Sequence, residues 1–214
     1  MAAPDLEWGM SMALADLRSR WRTLCASCGI CDEHGVWELL GSGYASAGRH
    51  YHNWAHIADC LSLLDELRPD ATDFQAVELA LWFHDAVYDS RRGDNEEQSA
   101  LQAEKVLSTH PRVDSIGAMI RATVHRAAPA DADTALLCDI DLSILAAEPA
   151  RYDGYASAIR REYAWVGEAE YRAGRAKVLQ SFLQRPLLYV TTACRFRWED
   201  AARSNLEREI ASLA

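Results

Sequence analysis

The stretch RHYHNWAHIAD, residues 49–59, places His50, His52 and His56 between an arginine and an acid, using three of the chain's seven histidines. His52 and His56 stand four apart, so on a helix both rings lie on one face. Imidazoles sharing a face suit a divalent ion or a proton transfer. A second stretch, VELALWFHDAVYD (77–89), sets His84 beside Asp85 inside an otherwise apolar run. Phe74, Val77, Leu81, His84 and Tyr88 repeat at threes and fours, the stripe expected to face a core. A carboxylate buried there needs a partner, and a divalent cation would stabilise it while taking the imidazole as a ligand.

A third stretch, TALLCDIDLSILA (134–146), interrupts an apolar helix with Asp139 and Asp141. Two apart, they cannot share a face. Asp141 lies with Leu137, Cys138, Ile144 and Leu145, and Asp139 with Ala135, Leu136, Leu142 and Ser143. This reading makes Asp141 the more buried acid and the one in greater need of a partner. Asp139 is held as a supporting group or a helix-face acid.

The elements that must position these residues are helical throughout. Periodicity predicts helices at 5–26, 53–68, 73–88, 95–109, 113–126, 134–147, 150–165, 168–184 and 193–212, with 31–51 an irregular Gly- and Ser-containing connection. Pro69, Arg92-Gly93-Asp94, Pro111, Pro129, Pro149 and Pro186 punctuate the breaks. No strand-period run, internal repeat or low-complexity segment interrupts them. Connections are short, which favours neighbouring helices packed in one bundle. The expectation is a single all-α domain over residues 1–214, long enough to bury a full core.

Composition narrows the partners. Half the residues are apolar, a quarter are charged, and the net charge is −10. An acidic chain argues against a nucleic acid duplex as partner but not against a small anion, because a metal can dominate the local field. No run reaches the length of a membrane span, so no membrane partner is expected. The acidic opening MAAPDLEWGM lacks the basic start of a secretory leader, which makes the cytoplasm the expected location. Cys25, Cys28, Cys31 and His34 in CASCGICDEH have some zinc-like spacing but no second CxxC, and free thiols are the expectation.

His56, then His84-Asp85, then Asp141 resembles the H…HD…D pattern of the HD superfamily of metal-dependent phosphohydrolases. YHNWAHIAD and DIDLSIL are also similar to active-site motifs of the cyclic-nucleotide phosphodiesterases, distant relatives in that superfamily. The latter similarity points to Asp141 over Asp139. The chain looks closest to a compact bacterial family of predicted HD phosphohydrolases, from about Trp21 to the C-terminus, including YRAGRAKVLQSFLQR and ARSNLEREI.

The resemblance implies a single compact HD-type helical bundle and one divalent ion held by His56, His84, Asp85 and Asp141. The donor types suit Mn, Fe, Co, Ni, Zn or Mg alike. His52 is implied as the general acid for the leaving oxygen, and a metal-activated water as the nucleophile. The substrate is expected to be a small phosphorylated molecule, with nucleotide and non-nucleotide phosphates both open.

Six further residues have a plain reading beside a functional one. Asp94 and Glu97 form a capping-box arrangement, and Glu97 is also in reach of a water-orienting role after the HD helix. His125 closes a helix, where it complements the dipole or contacts a phosphate or second metal. Arg49, with Arg91 and Arg92, flanks the site as a phosphate ligand or as solvated surface. Two other functions stay open: a non-catalytic regulatory HD domain binding metal and nucleotide, and a di-iron HD oxygenase.

Overall fold

The computed structural model of the chain describes residues 4–213, with side chains from Leu14 onward. Much of the opening stretch from which the absence of a secretory leader is read lies outside the described side chains. Ten α-helices follow in order: α1 Pro4–Cys28, α2 Glu33–Tyr44, α3 Trp54–Glu66, α4 Phe74–Phe83, α5 Asn95–Val106, α6 Val113–Ala122, α7 Ala132–Asp141, α8 Pro149–Glu162, α9 Glu168–Leu183 and α10 Thr192–Leu213. There is no strand among the described residues, and no helix is long and apolar enough to cross a membrane. The chain is all-α.

Helix α4 is the centre. Every residue from Ala76 to Phe83 is buried, as expected for a helix apolar all round. Its one acid, Glu78, is paired at 2.6 Å with Arg20 of α1, which also holds Asp65. Trp21 and Trp37 stack edge-on against Trp82, and α3, α5, α6 and α7 pack around the same helix. Side-chain caps start the helices where the sequence offers Asp or Asn: Asp32, Asn53, Asp73 and Asp131 each accept from a backbone N–H of the first turn.

Three departures from the sequence expectation matter to the site. The segment read as an irregular connection contains α2, whose Gly35, Gly41 and Gly43 disguise it. Gly43 has a packing reason: a Cβ there would lie 2.5 Å from the Ala86 carbonyl oxygen. Helix α4 stops at Phe83, five residues before the expected end. The Ala86 N–H tightens back onto the Phe83 carbonyl at 2.9 Å and the Val87 N–H goes to Ser99 Oγ at 3.1 Å, while Arg49 takes the Asp85 and Ala86 carbonyls at 2.6 and 3.0 Å. Helix α7 gives way at Leu142 to a 3-10 segment ending at Ala146. There Tyr189 donates to the Leu142 carbonyl, and Asn205 to those of Leu145 and Ala147. Carbonyls engaged by side chains no longer need the next helical turn.

Candidate metal centre

Four side chains from three regions of sequence converge at the end of α4. His56 comes from the first turn of α3, His84 and Asp85 from the turn that closes α4, and Asp141 from the last residue of α7. The two Nε2 atoms lie 3.1 Å apart. Asp85 Oδ2 is 3.2 Å from His84 Nε2 and 3.6 Å from His56 Nε2. Asp141 Oδ1 is 3.3 Å from His56 Nε2 and 3.5 Å from His84 Nε2. His56 and His84 are buried, while Asp85 and Asp141 keep 15% and 17% of their side-chain surface open.

The protonation of His84 follows from its other nitrogen. Nδ1 lies 2.9 Å from the Leu81 carbonyl oxygen, which can only accept, so the proton sits on Nδ1. In the neutral ring Nε2 then presents a lone pair to two carboxylates and a second imidazole nitrogen. That arrangement is repulsive unless a positive charge lies among them. Burial opposes charge on His84, Asp85 and Asp141, yet the attraction of their neighbours prevails. The Asp85 charge pulls His84 well above the ordinary histidine value, and the histidines hold Asp85 and Asp141 below the usual carboxylate range. A divalent cation fits the same demand. Bond lengths of about 2.0–2.2 Å put neighbouring donors roughly 3–3.5 Å apart, the spacing seen here. The Nδ1–H···O=C contact is the support that orients a histidine ligand.

His52 stands outside the donor set. It precedes the Asn53 cap of α3, so it is not on the helix with His56 as the four-residue spacing suggests, although the ring centroids are still 6.3 Å apart. Its position is fixed by Glu162 at the end of α8. Glu162 Oε2 accepts from His52 Nδ1 at 2.7 Å, while Oε1 accepts the backbone N–H groups of His50, Tyr51 and His52 at 2.7, 2.7 and 3.1 Å. Tyr88 donates to Oε2 at 2.9 Å and stacks its ring on His52 at 4.0 Å. Tyr88 itself lies past α4 rather than on its stripe. Burial works against ionisation of Glu162, but the His52 bond, the His52 charge and the backbone donors hold it down at about 2. Sequence reading missed Glu162. In RREYAW it looks like a surface acid beside two arginines, and its partner lies 110 residues away.

The remaining residues divide by their partners. His125 donates from Nε2 to Asp141 Oδ2 at 2.8 Å and so holds the carboxylate whose other oxygen faces the imidazoles. It reaches Asp141 from beyond the end of α6, with a left-handed backbone at φ 52°, a strain that recurs at functional sites. Asp139, not Asp141, is the less accessible of the two aspartates, which reverses the burial expected from the helix faces. It accepts from the Val190 and Thr191 N–H groups and the Thr191 hydroxyl. Its work is to anchor the loop before α10.

Arg49 spends its guanidinium on the carbonyls of His52, Asp85 and Ala86, which makes it a clamp on the site's backbone. Glu97 is exposed and forks onto Arg121 at 2.7 and 2.9 Å. Asp94 caps nothing with its side chain and pairs with Arg92, so the capping box does not form. All six cysteines are free: Cys25 is buried in the core, Cys31 is exposed, and His34 contacts Arg18 instead. Among the described residues, the ligand atoms of His56, His84 and Asp85 all lie within 4.8 Å of one another; Asp141 faces both imidazoles but is not in that mutually close set.

No family model, curated protein or solved structure matches the chain.

Proposed function

We propose that the protein is a metal-dependent phosphohydrolase acting on a small phosphoester, the activity implied by the resemblance of its H…HD…D pattern to the HD superfamily. One observation carries the reading. Two buried imidazoles 3.1 Å apart each lie within 3.6 Å of both carboxylates, beside a histidine–carboxylate pair that is not part of the donor set. A domain that merely bound metal and nucleotide would need the first feature and not the second. His56, His84, Asp85 and Asp141 are the residues that would hold the ion. When bound, a divalent ion there supplies Lewis-acid polarisation of a phosphoryl oxygen and lowers the pKa of water.

The chain's own groups do the rest. The Glu162 carboxylate accepts the Nδ1 proton of His52, stabilises the imidazolium, and leaves Nε2 as the atom that releases a proton. As the water oxygen bonds to phosphorus it gives up one proton to solvent. The ester P–O bond breaks, its electron pair leaves on the alkoxide oxygen, which takes the His52 proton, and His52 is reprotonated from solvent. Tyr88 and the three backbone donors fix Glu162 and stop the His52 ring from turning away. His125 holds Asp141 by its outer oxygen.

The test is a panel of phosphoesters offered to protein reconstituted with each candidate metal, with His84→Ala as control. Metal-dependent hydrolysis by the wild type and none by the variant supports the reading. Equal metal content in the two proteins, or no hydrolysis with any metal, refutes it.

A further inference from the structure

Two half-buried arginines reach the backbone of the centre, and among the described residues neither pairs with a carboxylate. Arginines at comparable depth elsewhere do so: Arg20 with Glu78, Arg175 with Glu209 and Arg203 with Glu199. Arg49 is spent on carbonyls, as described above. Arg185 is different. It follows the end of α9, donates one Nη2 proton to the His125 carbonyl, and lays its guanidinium carbon 4.3 Å from the centroid of the Phe182 ring. That ring in turn meets His125 edge-on at 6.4 Å. Arg185, Phe182 and His125 therefore form one layer behind Asp141 Oδ2, which His125 holds at 2.8 Å. Most of the N–H donors on this planar cation remain uncommitted.

Charge accounting gives that cation a use. The carboxylates of Asp85 and Asp141 together cancel a divalent ion, and Glu162 cancels a protonated His52. A phosphate monoester brings between one and two further negative charges. Arg49 brings one positive charge to the Asp85 side, but its Nη atoms are turned onto backbone carbonyls and its Nε is buried. Among the described residues no acid pairs with the Arg185 guanidinium, and its burial lowers its pKa from the ordinary arginine value. A planar fork of N–H donors matches the paired oxygens of phosphate better than an ammonium does. The strained His125 backbone is held in place by the same guanidinium, which ties the arginine's position to that of Asp141.

We infer that Arg185 binds the non-bridging oxygens of a terminal phosphate at this centre, which makes phosphomonoesters the preferred substrate class. The inference rests on the phosphohydrolase reading. It replaces the phosphate role expected for Arg49, whose Nη atoms are engaged on carbonyls and whose unpartnered Nε is buried away from the surface.

The test uses inorganic phosphate as the probe, titrated calorimetrically into metal-reconstituted wild type, Arg185→Gln and Arg185→Lys, with metal content measured on the same samples. Arg185→Gln should keep its metal and bind phosphate about 10- to 100-fold more weakly, the worth of one or two charge-assisted hydrogen bonds. Arg185→Lys should recover part of the loss. In turnover the Arg185→Gln defect should be larger for a monoester than for a matched diester, and millimolar guanidinium should restore part of it. Phosphate affinity unchanged in Arg185→Gln overturns the inference. So does metal loss in a folded Arg185→Gln, which would make Arg185 a prop for His125 and Asp141. If Arg185→Gln does not fold, Arg185→Met repeats the comparison with an uncharged chain of similar length. A wild type holding no more metal than His84→Ala is a failure of the phosphohydrolase reading instead. Arg185 is then decided by phosphate binding to the metal-free proteins, where equal affinity or none rejects it.

Discussion

Glu162 Oε2 lies 2.7 Å from His52 Nδ1, joining the end of α8 to the loop before α3 across 110 residues. The same carboxylate takes three consecutive backbone N–H groups and the Tyr88 hydroxyl. A carboxylate so fully supplied with donors stays ionised and immobile. What it fixes is the face and tautomer of one imidazole, which is the requirement of a proton donor and not of a scattered surface histidine.

The pair should be separable from the metal. His52→Ala should retain its ion and lose about two to four orders of magnitude in kcat on an alkyl phosphate, the usual worth of general acid catalysis. The loss should shrink on p-nitrophenyl phosphate, whose leaving group scarcely needs a proton. Glu162→Gln should show the same substrate dependence at smaller amplitude, because the ring keeps a hydrogen-bond partner but loses the charge that favours the imidazolium. His50→Ala should match wild type, since only its backbone touches Glu162. Equal losses on both esters would make His52 a positioning residue. Loss of metal from His52→Ala would make it a ligand.

Glu162 also predicts a pH dependence of folding. Its carboxyl has an ordinary value of 4.5 and is held at about 2 in the folded chain. A group whose pKa falls on folding contributes stability above its unfolded value, and the contribution disappears as pH drops through the folded value. The window therefore runs from about pH 4.5 down to about 2. The full contribution is on the order of 3 kcal/mol, shared with His52. Urea midpoints at about pH 5 and about pH 3 should fall steeply for the wild type and less steeply for Glu162→Gln. Parallel falls in the two proteins would show that other carboxylates carry the whole dependence.

Much of this centre was legible in the sequence because its members are chemically out of place. His84 and Asp85 in an apolar run, and two aspartates in TALLCDIDLSILA, each break a pattern that reads clearly without them. Helical periodicity likewise gave nine of the helices to within a few residues, apart from the early stops of α4 and α7. What escaped were the supports. Glu162 follows two arginines and Arg185 stands at a turn marked by Pro186, places where an acid or an arginine is unremarkable, and their partners are distant in sequence. Helix α2 was hidden by glycines whose reason is tertiary. Arg49 and Glu97 were placed near the site by sequence proximity, but Arg49 turned to carbonyls and Glu97 to Arg121. Face assignment on α7 picked Asp141 for burial, whereas geometry assigns the more enclosed position to Asp139 because the loop before α10 closes over it.

The two aspartates should respond oppositely. Asp141→Asn removes a donor that faces both imidazoles, and metal content should fall to the His84→Ala level. Asp139→Asn should keep its metal. Its cost is in folding, about 1–3 kcal/mol, because an amide cannot accept from Val190, Thr191 and the Thr191 hydroxyl as the carboxylate does. Metal analysis beside thermal melts separates the outcomes. Removing the ion from wild type should also lower Tm, since binding to the folded state alone adds to stability, and chelation should leave the Tm of Asp141→Asn unmoved. Metal loss from Asp139→Asn with full retention by Asp141→Asn would exchange their roles.

Gly43 offers a test of the scaffold remote from every donor atom. A Cβ at this position would lie 2.5 Å from the Ala86 carbonyl oxygen, closer than real contacts allow, and that carbonyl is also held by Arg49 Nη2 at 3.0 Å. Neither neighbour yields easily: the oxygen belongs to backbone and the arginine is itself clamped to Asp85 and His52. Gly43→Val must therefore push α2 away from the turn or the turn away from α2. Overpacking of this kind costs about 1–3 kcal/mol. The turn carries Asp85, one residue before the contact, so its displacement should also weaken metal binding, although residue 43 touches no ligand. Gly43→Ala should show the same two effects in smaller measure, because its single methyl still meets the carbonyl. Arg49→Lys, which keeps the charge but loses the fork that spans three carbonyls, should move metal affinity in the same direction while leaving the Gly43 contact intact. The measurements are urea midpoints and metal dissociation constants for the three variants. A Gly43→Val protein of wild-type stability and metal affinity would mean that α2 does not press on the turn after His84, and that the placement of Asp85 is set by Arg49 alone.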